Sequence, residues 1–108
     1  MAGSLEGSLV FDGTNYDSAQ LNLDYMQSVK DNGREFGIYK IFLWIRDQNK
    51  RDWKVIPYRR DVLSNQVDKL HGELLGAVKE KLPAIKCRDD FVEVVDSFLF
   101  NRHHGEGD

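Results

Sequence analysis

The chain has 108 residues, of which 41% are hydrophobic and 31% charged, and its formal net charge is −3. This length and composition are typical of a globular domain and exclude a disordered or fibrous chain. Its longest unbroken apolar run covers residues 41–45, whereas a helix needs about 20 residues to span a bilayer, and the N-terminus lacks the pattern of a signal peptide. We therefore expect a cytoplasmic domain without membrane contact. Its single cysteine, Cys87, cannot form an internal disulfide, which excludes a disulfide scaffold and a four-ligand zinc site built on cysteine.

Both ends of the chain are rich in small or polar residues. We therefore interpret residues 1–7 and 102–108 as flexible termini and residues 8–101 as a single domain. No internal repeat and no linker divides that range. Within it, residues Ser8 to Asp12 are expected to form the first short strand.

The next segment, residues 17–30, has two interpretations. As a strand it would be joined to the following strand by a turn at Asn32-Gly33, because Asn-Gly adopts the positive φ angles of a tight hairpin. That register pairs Lys30 with Glu35, Val29 with Phe36, and Leu23 with Phe42. As a helix it would begin at Asp17, repeat an apolar residue every four positions, and end at Gly33. The pairing favours the strand.

Residues 36–46 are crowded with β-branched and aromatic side chains, which predicts a strand. Apolar residues occupy both of its alternating faces, so it should be central and covered on both sides. A turn over residues 47–52 then leads into a second strand, residues 53–58. The expected cross-strand pairs are Arg46 with Trp53, Trp44 with Val55, and Leu43 with Ile56.

Two helices are predicted to follow. An apolar stripe from Leu63 to Val78 indicates a helix from about Asp61 to Leu82, capped by Asp61 or Ser64. Asp90 and Glu93 have the spacing of a capping box and start a last helix that runs to about Asn101. The predicted fold class is α+β, with an antiparallel sheet of three to four strands followed by two C-terminal helices that pack on the Ile41 face.

Charge is distributed unevenly along the chain. Residues 34–60 have a net charge of +5, while residues 1–33 and 61–108 each have −4. The predicted strands place basic residues around aromatic ones on the sheet face opposite Ile41, which suggests a binding surface. Its predicted members are Lys40, Phe42, Trp44, Arg46, Lys50, Arg51, Trp53, Lys54 and Arg59. A solvated hairpin over a packed core would show the same pattern.

A second candidate contact lies on the first helix. Gly72 and Gly76 are four residues apart, nearly opposite the apolar stripe, and each costs about 1 kcal/mol of helix stability relative to alanine. Either the helix tolerates them, or another chain approaches its backbone closely there.

No arrangement typical of catalysis or of a metal or cofactor site is found. His71 is expected to be structural, and Cys87 has no histidine at an informative spacing. His103 and His104, in the C-terminal tail with Glu106 and Asp108, would hold a divalent metal only loosely. The sequence thus favours a non-enzymatic module that contacts a protein partner or a second copy. The alternatives are single-stranded nucleic-acid binding through the basic hairpin and, third, a small enzyme.

Overall fold

The computed structural model describes residues 1–105 and the side chains of residues 1–102. Its elements, in chain order, are β1 (Ala2–Leu5), β2 (Leu9–Phe11), β3 (Thr14–Tyr16), β4 (Ser18–Asp31), β5 (Arg34–Arg46), β6 (Lys54–Ser64), α1 (Val67–Lys81), a 3₁₀ turn (Leu82–Ala84) and α2 (Arg88–Gly105). The α+β class, with an antiparallel sheet before two C-terminal helices, is confirmed. Neither helix of the described chain has the length and apolar composition needed to cross a bilayer.

The main sheet has four antiparallel strands in the order β1, β4, β5, β6. Its first strand is not the predicted one, because β2 pairs only with β3 in a separate two-stranded sheet. Instead β1, which lies within the segment interpreted as a flexible terminus, pairs along β4. Leu5 is buried in the core, and Met1 exchanges two backbone hydrogen bonds with Leu23. Burial of one leucine and these backbone bonds outweigh the flexible composition.

The β4–β5 hairpin confirms the strand interpretation of residues 17–30. Lys30 lies opposite Glu35 and Val29 opposite Phe36, and both turn residues, Asn32 and Gly33, have positive φ angles. The predicted pairing of Leu23 with Phe42 is wrong. A β-bulge at Met26 shifts the register by one residue, so Leu23 faces Ile41.

The β5–β6 hairpin also has the predicted register near its turn, with Trp44 opposite Val55 and Leu43 opposite Ile56. Beyond it, β6 is longer than expected and continues to Ser64. The ladder there places Asp61 opposite Lys40 and Leu63 opposite Ile38.

The prediction that a helix begins at Asp61 or Ser64 is therefore wrong, because Asp61 and Leu63 lie in a strand. The Ser64 hydroxyl accepts a hydrogen bond from the Gln66 backbone N–H in the turn that follows, and α1 begins at Val67. The last helix starts two residues before Asp90, whose carboxylate accepts a hydrogen bond from the Lys86 backbone N–H.

Both helices pack on one face of the sheet, where α1 contacts β1 and β4 and α2 contacts β6. The core between them includes Ile41, Leu43 and Ile45 from β5, and Phe91 and Val95 from α2. The small β2–β3 sheet contacts the 3₁₀ turn through β2.

His71 on α1 is buried in this core, and its Nε2 donates a hydrogen bond to the Leu21 backbone oxygen at 3.0 Å. Its contacts are those of a structural residue. Next to it, Gly3 of β1 leaves room for the ring, because a Cβ there would lie 2.7 Å from the His71 Cε1 atom and 3.0 Å from Leu75.

We expect Gly3→Ala to lower the free energy of unfolding by about 1–3 kcal/mol, because the added methyl overpacks the contact of β1 with α1. The matched control is Gly72→Ala, since a Cβ at that helical position has no described heavy atom within 4 Å apart from the adjoining backbone of α1 and the two neighbouring residues. It should raise stability by up to about 1 kcal/mol. Urea denaturation of both variants measures the difference, and an unchanged Gly3→Ala midpoint would mean that the His71 and Leu75 side chains move to accommodate the methyl group.

Candidate functional site

The sheet has one face covered by helices and one face without them. Alternation along β5 places Ile41 and Leu43 in the core, while Phe42 and Trp44 point to the opposite side and are only partly buried. This open face is where the sequence placed the candidate surface. Among the described residues it receives no covering helix, so its side chains are available for contact.

Apolar side chains on the open face lie along β5 and β6 in two groups, on either side of a charged pair. We call this set the apolar ribbon; its members are Phe36, Ile38, Phe42, Trp44, Val55, Pro57 and Leu63. Val55 is 42% and Leu63 59% exposed. Lys40 and Asp61 lie opposite each other in the middle of the ribbon, with 3.0 Å between Lys40 Nζ and Asp61 Oδ1.

The neighbouring row on β4 is polar. On the same face it presents Gln20, Asn22, Asp24 and Gln27, of which Asn22 alone is buried, and beyond them the apolar Val29 opposite Phe36. In the amide orientation that satisfies its neighbours, Asn22 Oδ1 accepts a hydrogen bond from Trp44 Nε1 at 3.0 Å. The polar row thus borders the ribbon and satisfies the indole N–H at its edge.

Two tryptophans and an arginine close one end of the ribbon. Trp53 packs edge-on against Trp44, with 6.2 Å between ring centroids, and the Arg46 guanidinium carbon lies 4.4 Å from the Trp53 centroid. Trp53 precedes β6, so the predicted Arg46–Trp53 proximity is present as a cation–π contact rather than as a ladder pair.

The predicted cations do not all lie on this face. Lys54 is opposite Ile45 and therefore points to the helix side, where its Nζ is 3.8 Å from an Asp12 carboxylate oxygen. Lys50 and Arg51 are exposed in the turn before β6. Only Lys40 and Arg46, of the six predicted cations, accompany the aromatic residues of the open face.

Arg59 does not lie on the open face, contrary to the prediction. A bulge places residues 58–60 opposite Ile41 alone, and Arg59 turns to α2, where its guanidinium lies 2.6 Å from Asp96. Asp96 also accepts a hydrogen bond from the buried Tyr58 hydroxyl and lies 3.5 Å from the Arg60 guanidinium. These contacts join β6 to α2 and do not belong to the open face.

Two opposing effects act on the pKa of Asp96. Desolvation by partial burial raises it, but the hydrogen bond from Tyr58 and the nearby charges of Arg59 and Arg60 lower it further, so the pKa lies below its ordinary value of 3.8. Because folding lowers this pKa, the ionised carboxylate stabilises the folded chain above the unfolded-state value. That contribution is lost as the pH falls through the lower folded-state value.

Asp96→Asn should accordingly reduce the free energy of unfolding by about 1–2 kcal/mol near neutral pH. The difference from the unsubstituted chain should be constant above about pH 5 and shrink as the pH falls below about 4. Denaturation curves across that interval measure it. A difference that stays the same at every pH would show that Asp96 contributes by packing rather than by its charge.

The structure also separates Gly72 and Gly76 from the open face, since both lie exposed on α1, on the other side of the sheet. Apart from the adjoining backbone of α1 and the two neighbouring residues, no described heavy atom lies within 4 Å of a Cβ built at either position. A groove of about 830 Å³ runs between α1 and α2, over Ala77 and Phe98. This groove shares no residue with the ribbon.

Sequence reasoning missed part of the ribbon. Val55 was expected on this face of the sheet but was not among the predicted binding residues, and Leu63 was assigned to a helix. Alternation within a longer β6 would have identified Asp61 and Leu63, because the bulge at residues 58–60 adds two residues and so keeps the odd-numbered positions after it on the open face.

No group of three or more potential metal ligands occurs among the described residues. The predicted loose cluster of His103, His104, Glu106 and Asp108 lies outside the described side chains. Comparisons with protein families, with curated proteins and with solved structures give no match.

Proposed function

We propose that this chain is a non-enzymatic binding module that contacts a protein partner through the apolar ribbon. One observation supports this proposal: both helices pack on one face of the sheet, although its central strand β5 is apolar on both faces. Contiguous exposed apolar patches bordered by polar residues are typical of protein contact surfaces. The polar row on β4 supplies such a border.

The charges of the hairpin favour a protein over a nucleic acid. A polyanion needs cations that are free to neutralise phosphates. Lys40, Lys54 and Arg59 each have a carboxylate partner within 4.0 Å. The rings of Trp44 and Trp53 pack against each other, and Arg46 lies over Trp53, so stacking of a base would require these contacts to open.

Site-specific photo-crosslinking tests the proposal. A photoreactive residue at Val55 should form an adduct with a protein in living cells, identified by mass spectrometry. The same residue at Lys79, exposed on α1, is the matched control and should form none. Adding Leu63→Lys should abolish the Val55 adduct and change stability by less than about 0.5 kcal/mol, because Leu63 is 59% exposed. Equal adducts from both positions, or none from Val55, would contradict the proposal.

Binding to a generic single-stranded oligonucleotide gives an independent test. We expect weak binding whose logarithm falls with log salt at a shallow slope, no steeper than about −3, because three of the six candidate cations already have a carboxylate partner. The competing hypothesis requires a steep slope. It also requires Trp53→Ala to weaken binding roughly tenfold and Arg51→Ala to flatten the slope by about one unit, without parallel loss of thermal stability.

A further inference from the structure

The apolar ribbon is complementary, in side-chain size and in charge, to a rotated copy of itself. Three of its four cross-strand pairs join unlike side chains: Trp44 faces Val55, Phe42 faces Pro57, and Lys40 faces Asp61, while the fourth joins Ile38 to the similar Leu63. In the first two pairs the larger residue is on β5 and the smaller on β6, and in the third the positive charge is on β5 and the negative on β6. A surface with the reverse arrangement would fit it, and a rotated copy of the ribbon has that arrangement.

We infer that the occupant of the ribbon is a second copy of this chain, related by a two-fold axis that runs parallel to the strands between β5 and β6. This inference rests on the proposed function and names its partner. The rotation lays β5 of one copy over β6 of the other at the same level along the strands. Trp44 then packs on the second copy's Val55, Phe42 on its Pro57, and Lys40 lies next to its Asp61.

The position of the charges selects this axis over the other in-plane choice. A two-fold axis perpendicular to the strands would place β5 over β5 and bring the two Lys40 side chains together, and like charges in contact oppose association. The parallel axis instead makes a quartet of alternating charges from two Lys40–Asp61 pairs. Both side chains are about half exposed in the single chain, 46% and 47%, so they can reach a partner.

The polar row on β4 fits the same arrangement. An axis between β5 and β6 centres the contact on those two strands and leaves β4 at its margin, where its polar side chains stay in solvent. The helices lie on the outer faces, so the pair of chains is a four-layer assembly with the two sheets face to face.

The size of the ribbon indicates a weak association. From Phe36 to Trp44 it is about 27 Å long at 3.4 Å per residue, and two strands with their side chains are about 15 Å wide. Each copy thus contributes about 400 Å², which belongs to the small, transient class of interfaces. We expect a dimer that forms at micromolar or higher concentrations.

Charge reversal at the central pair tests the inference by sedimentation equilibrium. Lys40→Glu leaves two acids in the ribbon, and Asp61→Lys leaves two bases, so each variant alone should self-associate at least about tenfold more weakly than the unsubstituted chain. An equimolar mixture of the two variants should dimerise again, because the acidic ribbon of one faces the basic ribbon of the other. Only a copy-to-copy contact predicts this rescue.

Lys79→Glu and Asp68→Lys are the matched controls, because they change the net charge equally at exposed positions of α1. Both should dimerise like the unsubstituted chain. Unchanged melting temperatures would show that the reversed variants are folded. The inference is overturned if the unsubstituted chain stays monomeric at submillimolar concentration, if the reversals leave self-association unchanged, or if the mixture does not recover it.

The crosslinking at Val55 separates this outcome from failure of the proposed function. An adduct with a second copy supports both the proposed function and the second copy as the partner. An adduct with a different protein, in a chain that is monomeric by sedimentation, supports the proposed function and refutes the second copy as partner.

Discussion

The central strand β5 is apolar on both of its faces, and residues 1–105 provide two α-helices to cover them. Both helices pack on the side of Ile41, Leu43 and Ile45, where these residues are fully buried. On this side residues of both helices share one buried cluster with the sheet. Burial on one side therefore leaves Phe42 and Trp44 on the other, and the open face follows from that division.

Two irregularities in the sheet determine what the open face contains. The bulge at Met26 shifts β4 by one residue, which brings Leu23 opposite Ile41 in the core and Asn22 opposite Phe42 on the open face. The bulge at residues 58–60 directs Arg59 and Arg60 to Asp96 and lets β6 resume its alternation at Asp61. Without it, the pairing of Lys40 with Asp61 and of Ile38 with Leu63 would not occur.

The basic segment of the chain has a different role in the fold than its composition suggests. Residues 34–60 have a net charge of +5, yet several of their cations are neutralised by acids that are distant in sequence. Lys54 lies beside Asp12, Arg59 beside Asp96, and Lys40 beside Asp61. Long-range ion pairs of this kind explain why a run of like charge along a chain does not by itself produce a charged surface.

The features that the sequence alone predicts correctly are those that depend on local interactions. The Asn32-Gly33 turn and the short-range pairs next to it establish the β4–β5 hairpin near its tip, and the turn over residues 47–52 does the same for β5 and β6 near Trp44. The fold class and the aromatic face of β5 follow from alternation, which is also a local property.

Only the tertiary structure decided the features that depend on contacts between distant segments. Leu5 gains burial and backbone pairing from β4, so β1 joins the sheet although its composition resembles a flexible terminus. Leu63 fits a helical stripe equally well, but pairing of β6 with β5 extends the strand through it. Periodicity records which residues are apolar along one element, whereas bulges, ion pairs and edge strands depend on partners far away in the chain.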